Sequence, residues 1–305
     1  DNIDSDQTVA QFDNWHVCGS NDLTVRNCHF EGGEDGIDFN TDLNTALIEK
    51  NTFQDITETE SGDEVLDFTD GATTHVVIQD NTFDDNYRHM TLDGGDDSNF
   101  TIRRNTMDGT NSQEAIRLIG ASQIVVENNV ILNRQQQGVY VDDGCSDITI
   151  WHNTFFNNDQ EAGGNGEIRT KVVSDTSVIK NNILYANGSN PIFETSASSL
   201  PGEDYNLVYN HGQTTFTFGA NTITGQDPEF VSTTAGSEDL HLQGSSPALE
   251  AGIELGVNDD HDKASRPQPA GSYPDMGAYE SRARPDDDND GIPNVDDCAP
   301  HNDTK

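Results

Sequence analysis

Ile102-Arg103-Arg104-Asn105-Thr106-Met107 is one copy of a phrase that the chain repeats. The others begin at Val25, Ile48, Ile78, Val126, Ile150 and Ile179, and place Cys28, Asn51, Asn81, Asn129, Asn153 and Asn182 fourth. The fourth residue is thus Asn in six copies of seven, and the sixth is always large and apolar. Successive fourth positions are 23, 30, 24, 24, 24 and 29 residues apart, a period that signals a solenoid. Two residues before each phrase's opening comes another small or apolar residue (Leu23, Ala46, Val76, Phe100, Ile124, Ile148, Ser177), giving the period-2 alternation of a strand with one buried face.

A second strand recurs later in most units: Ile37-Asp-Phe39, Leu66-Asp-Phe68, Met90-Thr-Leu92, Ile116-Arg-Leu118, Val139-Tyr-Val141 and Ile168-Arg-Thr170. Several short strands per repeat, with no helical period, predict a coil of parallel strands. Asn51, Asn81, Asn105, Asn129 and Asn153 would then stack as a ladder of amides. This pattern resembles the right-handed parallel β-helix family (the pectate-lyase-like superfamily) over roughly residues 15–245. The expected fold class is therefore all-β, a right-handed parallel β-helix, followed by a short calcium-binding tail.

Only 32% of the 305 residues are hydrophobic, which suits a thin central file better than one deep core. Fifty-five acids against 15 bases leave a net charge of −40, which disfavours nucleic acid, anionic membranes and polyanionic glycans unless cations intervene. Salt adaptation and widespread calcium binding would each explain such a surface. The four cysteines, at 18, 28, 145 and 298, have no CxxC spacing, so zinc and redox motifs are not expected. Cys28 fills the ladder slot, and Cys18 and Cys28 read either as a disulfide or as two buried thiols. No signal peptide or membrane span is visible. The start at Asp1 without Met fits a processed secreted chain, so the expected localisation is extracellular or at the cell surface.

In order, residues 1–245 read as the β-helix, 246–283 as its closing segment and 284–305 as the tail. Val9–Val17 already reads as coil without a capping helix, so either a cap has been removed or something else covers that end. Thr57–Asp63 and Asn157–Gly166 are insertions. Asn99, Asn187 and Asn302 each begin an N-glycosylation sequon. The succession Asp227-Pro-Glu-Phe230, Asp239-Leu-His-Leu242, Ser246-Pro-Ala-Leu-Glu-Ala-Gly252, Arg266-Pro-Gln268 and Asp275-Met-Gly-Ala-Tyr-Glu280 resembles the C-terminal end of secreted β-helix proteins.

The tail places Asp286, Asp288, Asp290, Asn294 and Asp297 at loop positions 1, 3, 5, 9 and 12, Gly291 at 6, and the Ile292 carbonyl at 7. That is the donor spacing of an EF-hand-like calcium loop, with a shorter Asp where Glu usually closes it. The segment resembles a thrombospondin type 3 calcium repeat, including the Asp-Cys-x-Pro ending. The resemblance implies Ca2+ as cofactor and an oxidised Cys298, with Cys145 as a partner.

On the outer face of the second-strand column the residues are Asp38, Asp67, Thr91, Arg117, Tyr140 and Arg169, with Glu64, Arg88, His89, Glu114, Asp142, Asp143, Glu167 and Lys171 as expected neighbours. Asp38 and Asp67, about 4.8 Å apart on adjacent coils, would share a proton, bind calcium, or act as a retaining glycosidase pair. Asp67, His89, Arg117, Tyr140 and Arg169 are the catalytic candidates: Arg would neutralise a uronate carboxylate while Tyr or His removes the α-proton. Exposed strand positions are usually charged in any case. No Gly-rich phosphate loop, HExxH pair or Gly-x-Ser-x-Gly elbow occurs. The leading expectation is a structural or adhesive subunit of an extracellular assembly, self-associating end to end through the first coil or binding other extracellular proteins. A calcium-dependent polysaccharide lyase or glycoside hydrolase is the alternative. A carbohydrate-binding module using Tyr140, Trp151 or His152 is the third. None of these readings involves nucleic acid or direct membrane insertion.

Overall fold

The structure, a computed structural model, describes the chain except residues 1, 5–7, 11–14, 18–20, 34, 40–41, 58–63, 70, 94–96, 111–112, 143, 162–164, 172–175, 189, 195–201, 213–215 and 282–305. The calcium loop, Cys18 and Cys298 therefore lie outside the described residues, as do Asn302, Asp143 and Ser189 of the Asn187 sequon. Among those described there is no helix, and none long and apolar enough to cross a membrane.

Each coil gives one strand to each of three parallel sheets. Among the described residues, the first sheet has nine strands, from Asn2–Asp4 to Glu203–Asp204; the second has ten, from Thr8–Ala10 to Ile223–Thr224; the third has eight, from Trp15–His16 to Ile192–Glu194. The repeated phrase is the corner between the first two sheets. Its opening residue is the last inward-facing position of a first-sheet strand, and its last apolar residue faces inward from the second, so Ile78 pairs with Ile48 and Ile102, and Phe83 with Phe53 and Met107. The interior is a file of such residues, with Phe30, Phe53 and Phe83 stacked at 4.8 and 5.0 Å.

The corner itself is tight. The residue before each ladder position (Asn27, Lys50, Asp80, Arg104, Asn128, His152, Asn181, Tyr205) has φ between 51 and 58°, a left-handed conformation that disfavours a side chain by roughly 1–2 kcal/mol. The amide ladder compensates. Asn81 Nδ2 donates to Asn105 Oδ1 at 3.0 Å and to the Ile48 carbonyl at 2.9 Å, while its Oδ1 accepts from the Asn51 backbone and side chain at 2.9 and 3.0 Å. The same contacts repeat through Asn105, Asn129, Asn153 and Asn182, and reach Asn206, one rung beyond the seven phrases. Cys28 opens the column, its backbone amide donating to Asn51 Oδ1 at 3.0 Å.

A second, sparser set of polar groups sits at the corner leaving the second sheet. Asn86 and Asn158 each bond across coils there, with fully buried Arg134 between them in the column. Asn158 also holds Glu167, whose carboxylate accepts from the Asn158 amide at 3.2 Å and from its side chain at 2.6 Å. Complete burial raises the Glu167 pKa to about 8, with Asp159 adding to the rise against the two Asn158 bonds. A folded-state value above the unfolded one means a contribution present in acid and lost as pH rises through the folded value. Unfolding free energy should therefore decline from about pH 5 to about pH 8, and Glu167→Gln should flatten that limb. Denaturant midpoints across this range measure it, and an unchanged slope in the variant would refute the assignment to Glu167.

Beyond the last coil the chain turns back along the side. Phe230–Ser232 and Asp239–Leu242 form an antiparallel hairpin, and together with residues 246–281 they cover the outer face of the second sheet. The strands explain where. Their third residue is polar in the early coils (Glu31, Gln54, Asp84, Asp108) and becomes apolar in the later ones (Leu132, Phe156, then Tyr185 and Tyr209). Leu132, Phe156, Ile183 and Leu207 meet Phe230, Leu240, Leu249 and Met276 as a second apolar cluster. Arg266, buried against Glu280 at 2.9 Å, bonds the Asp275 and Gly277 carbonyls and ties this segment together.

Candidate functional site

The third-sheet strands are three residues long in most coils, so only their middle residue points outward. Register places Asp38, Asp67, Thr91, Arg117, Tyr140 and Arg169 on consecutive rungs of one column, as the sequence suggested.

Tyr140 is the centre of its basic end. The Arg169 guanidinium lies 4.7 Å from the Tyr140 ring centroid and that of Arg117 lies 5.7 Å away, both within cation–π range. Lys171 reaches Asp142 at 2.8 Å, and Asp142 also approaches Arg117 at 3.5 Å. Hydrogen bonds, first to Asp142 and then to Tyr140, hold the Lys171 ammonium charged well above its ordinary range. Glu114 stands between Arg117 (3.7 Å) and Arg88 (3.3 Å), and Arg88 pairs onward with Glu64. A line of alternating charge thus runs from Glu64 to Lys171 beside the outward column and fixes the position of each guanidinium.

The other end is acidic. Burial, then repulsion from Glu64, with smaller contributions from Asp38 and Asp35, raises the Asp67 pKa to about 7 against a hydrogen bond from Thr69. Its Oδ1 is buried with no hydrogen-bond partner. Partial protonation near neutrality thus relieves the Asp38–Asp67 repulsion. Among the described residues, no group of three or more His, Cys, Asp or Glu is arranged to hold a metal ion. Asp67 lies three rungs from Tyr140, about 14 Å at the strand spacing, so the two cannot act on one sugar atom.

Two residues expected on this face turn inward instead. His89 is fully buried, with Nε2 3.1 Å from Arg134 Nη1, and burial beside that cation holds its pKa well below the ordinary histidine value. It cannot reach a ligand on the outer face. Glu167 is buried at the equivalent place three coils on. Alternation inferred from Met90 and Ile168 fails one residue earlier, where the chain leaves the corner and has not yet become a strand. Trp151 and His152 are also elsewhere: Trp151 lies on the first sheet, donating to Glu127 at 2.8 Å, and His152 is buried against Asn181. Cys145 is buried, which raises its thiol pKa.

A further cluster was not anticipated. Between the second sheet and the returning segment lies a cleft of about 500 Å³ lined by residues that include Asp108, Leu132, Glu238, His241 and Tyr279. Its sequence signal was the change from Asp108 to Leu132 in the repeated strand, which marks the edge of the covered region.

Residues 16–166 match the family model described as a right handed beta helix region. Among solved structures, the A-module of a mannuronan C-5 epimerase from Azotobacter vinelandii is similar at 16% identity and a TM-score of 0.38, covering 68% of this chain and 56% of that one. The chain thus spans little more than half of that module. No curated protein matches. The family match over the central coils, together with three parallel sheets wound one strand per turn, makes this chain a right-handed parallel β-helix protein.

Proposed function

We propose that this β-helix takes an acidic polysaccharide along the outer face of its third sheet, with a uronate unit at Tyr140. The carrying observation is Tyr140 held between Arg117 and Arg169 on three consecutive rungs, with Lys171 beside it. Planar guanidinium groups suit a planar carboxylate, which they bind through paired hydrogen bonds. Neutralising that carboxylate acidifies the adjacent C5–H, and the Tyr140 hydroxyl, which Lys171 also contacts, is the group placed for proton transfer. When the C5 proton passes by way of the Tyr140 oxygen to the departing C4 oxygen, the C4–O bond breaks and a C4–C5 double bond forms. Return of a proton to the opposite face inverts C5. Both outcomes begin with the same step. The charge of −40 opposes a polyanion at long range, so the local cations and dissolved salt must offset it.

The test is a panel of uronate polymers, assayed for binding and for unsaturated or inverted products. Turnover should fall by about 10²–10⁴ in Tyr140→Phe, and Arg117→Ala should weaken binding by roughly 1.5–3 kcal/mol. If no uronate polymer binds, or if Tyr140→Phe turns over as fast as the parent chain, the proposal fails. We retain with it the expected extracellular location and the calcium loop of Asp286, Asp288, Asp290, Ile292, Asn294 and Asp297. Repeating the titration with a chelator separates that loop from the site, because chelation should leave third-sheet binding unchanged. The expected role as a structural or adhesive subunit draws on Val9–Val17 and residues 284–305; no contact among the described residues favours it over glycan binding.

A further inference from the structure

The cleft between the second sheet and the returning segment is a built cavity on a different face from Tyr140. Its wall from the β-helix consists of Thr106, Asp108, Val130 and Leu132; its wall from the returning segment includes Glu238, Leu240, His241 and Tyr279. A second cavity of about 310 Å³, lined by Thr82, Arg104, His261 and Lys263 among others, adjoins it through Thr106. The larger volume lies within the range of small-ligand sites.

The cleft is rigidly organised from both sides. Asn133 donates to Asp108 Oδ1 at 3.0 Å and to Glu238 Oε1 at 3.2 Å, so one amide positions a carboxylate from each wall. Asn133 is itself steadied by Asn157 at 3.1 Å. Asp108 Oδ1 also accepts the Gly109 amide at 2.7 Å, which leaves its second oxygen for an incoming donor. On the opposite side, His241 bridges Asp239 at 2.6 Å and Asp262 at 2.9 Å and stacks on Tyr279 with centroids 3.9 Å apart. These contacts leave a floor of Val130, Leu132, Leu240 and Tyr279 edged by hydroxyl groups and three fixed carboxylates, those of Asp108, Glu238 and Asp239.

Such a surface suits the two aspects of a neutral sugar: C–H faces lie on aliphatic and aromatic groups, and vicinal hydroxyls donate to carboxylates. A polyuronate is disfavoured, since its carboxylates would meet those of Asp108 and Glu238, which one Asn133 amide already holds together. We propose that this cleft is a second carbohydrate site, taking a short neutral oligosaccharide independently of the third-sheet face.

Cellopentaose and mannopentaose are the probes, titrated into the full chain and followed by calorimetry and amide NMR shifts. At least one should bind saturably, shifting amides at Thr106, Val130, Ser237 and Leu240 while leaving those at Arg117, Tyr140 and Arg169 in place. Asp108→Ala with Glu238→Ala should weaken that binding at least tenfold, with the melting profile checked against the parent. Ser237→Trp, which fills the cleft without removing a charge, should abolish it. The proposal is overturned if neither sugar binds, if the shifts fall on the third sheet, or if both variants bind as the parent does. Polygalacturonate run beside them separates the two sites, since its binding at Tyr140 can fail or succeed without moving the cleft result.

Discussion

Asn129→Leu should lower the unfolding free energy by about 3 kcal/mol or more, because each bond it removes leaves a buried polar group unsatisfied at roughly 1–3 kcal/mol. Asn129 Oδ1 accepts the backbone and side-chain N–H groups of Asn105, both at 3.0 Å. Its Nδ2 donates to the Ile102 carbonyl at 2.8 Å and to Asn153 Oδ1 at 3.0 Å. Leucine has nearly the same size and can make none of these. It also leaves Asn128 in its left-handed conformation, φ 54°, without the bonds that hold the corner. The control is Thr101→Val on the outer side of the first sheet, where the change should stay within about 0.5 kcal/mol. Denaturant unfolding compares the two, and an Asn129 variant within about 1 kcal/mol of the parent would show that the ladder is dispensable to stability.

Arg134→Met should be of similar size, about 3 kcal/mol or more, because it leaves several buried carbonyls unsatisfied at roughly 1–3 kcal/mol each. Its guanidinium donates to the carbonyls of Gln113 (3.1 Å), Asn86 (3.0 Å), Gly109 (3.4 Å) and Tyr87 (2.5 Å), and to neutral His89. Burial lowers its pKa to about 10, so it stays charged at neutral pH while lying wholly inside the solenoid. Gly109 makes the space: a Cβ there would come within 2.6 Å of the Asp85 backbone and 3.3 Å of Arg134 Nη1. Methionine fills a comparable volume but leaves four carbonyls without this donor. A Met variant as stable as the parent would mean that water or a shifted backbone satisfies them, and would remove any structural need for this arginine.

What could be read from sequence followed from how often a feature recurs. The ladder and the inward apolar files repeat in nearly every coil, so Asn51 to Asn182 and the outward column from Asp38 to Arg169 were legible residue by residue. Asn206 was not, because its copy of the phrase opens on Glu203 where the other seven open on Val or Ile, although it keeps the 24-residue spacing from Asn182. The second polar corner was hidden for a related reason: its column reads Ile56, Asn86, Thr110, Arg134, Asn158, with no constant residue type. His89 and Glu167 show the limit of period-2 reasoning on three-residue strands, where one step beyond the strand reverses the direction of a side chain. The cleft depends on Asp108 meeting Glu238, 130 positions away, and no local pattern encodes a meeting at that distance.

A stack of rungs bonded only to their neighbours should loosen from its end one rung at a time. The returning segment changes that arithmetic. It bonds Arg104 through Asp259, Asn128 through the Asp259 carbonyl, Thr154 through Ala278 and Asn181 through Ile253, so four successive coils share one clasp. Fraying at the C-terminal end must lift the clasp before any of those coils can open, which joins them into a single cooperative block, whereas the coils before Asp80, which Lys263 reaches at 3.1 Å, keep their independence. Arg117, Tyr140 and Arg169 all stand on the clasped coils. The spacing of charges along that face is therefore set by a segment that never touches it, packed against another side of the same rungs.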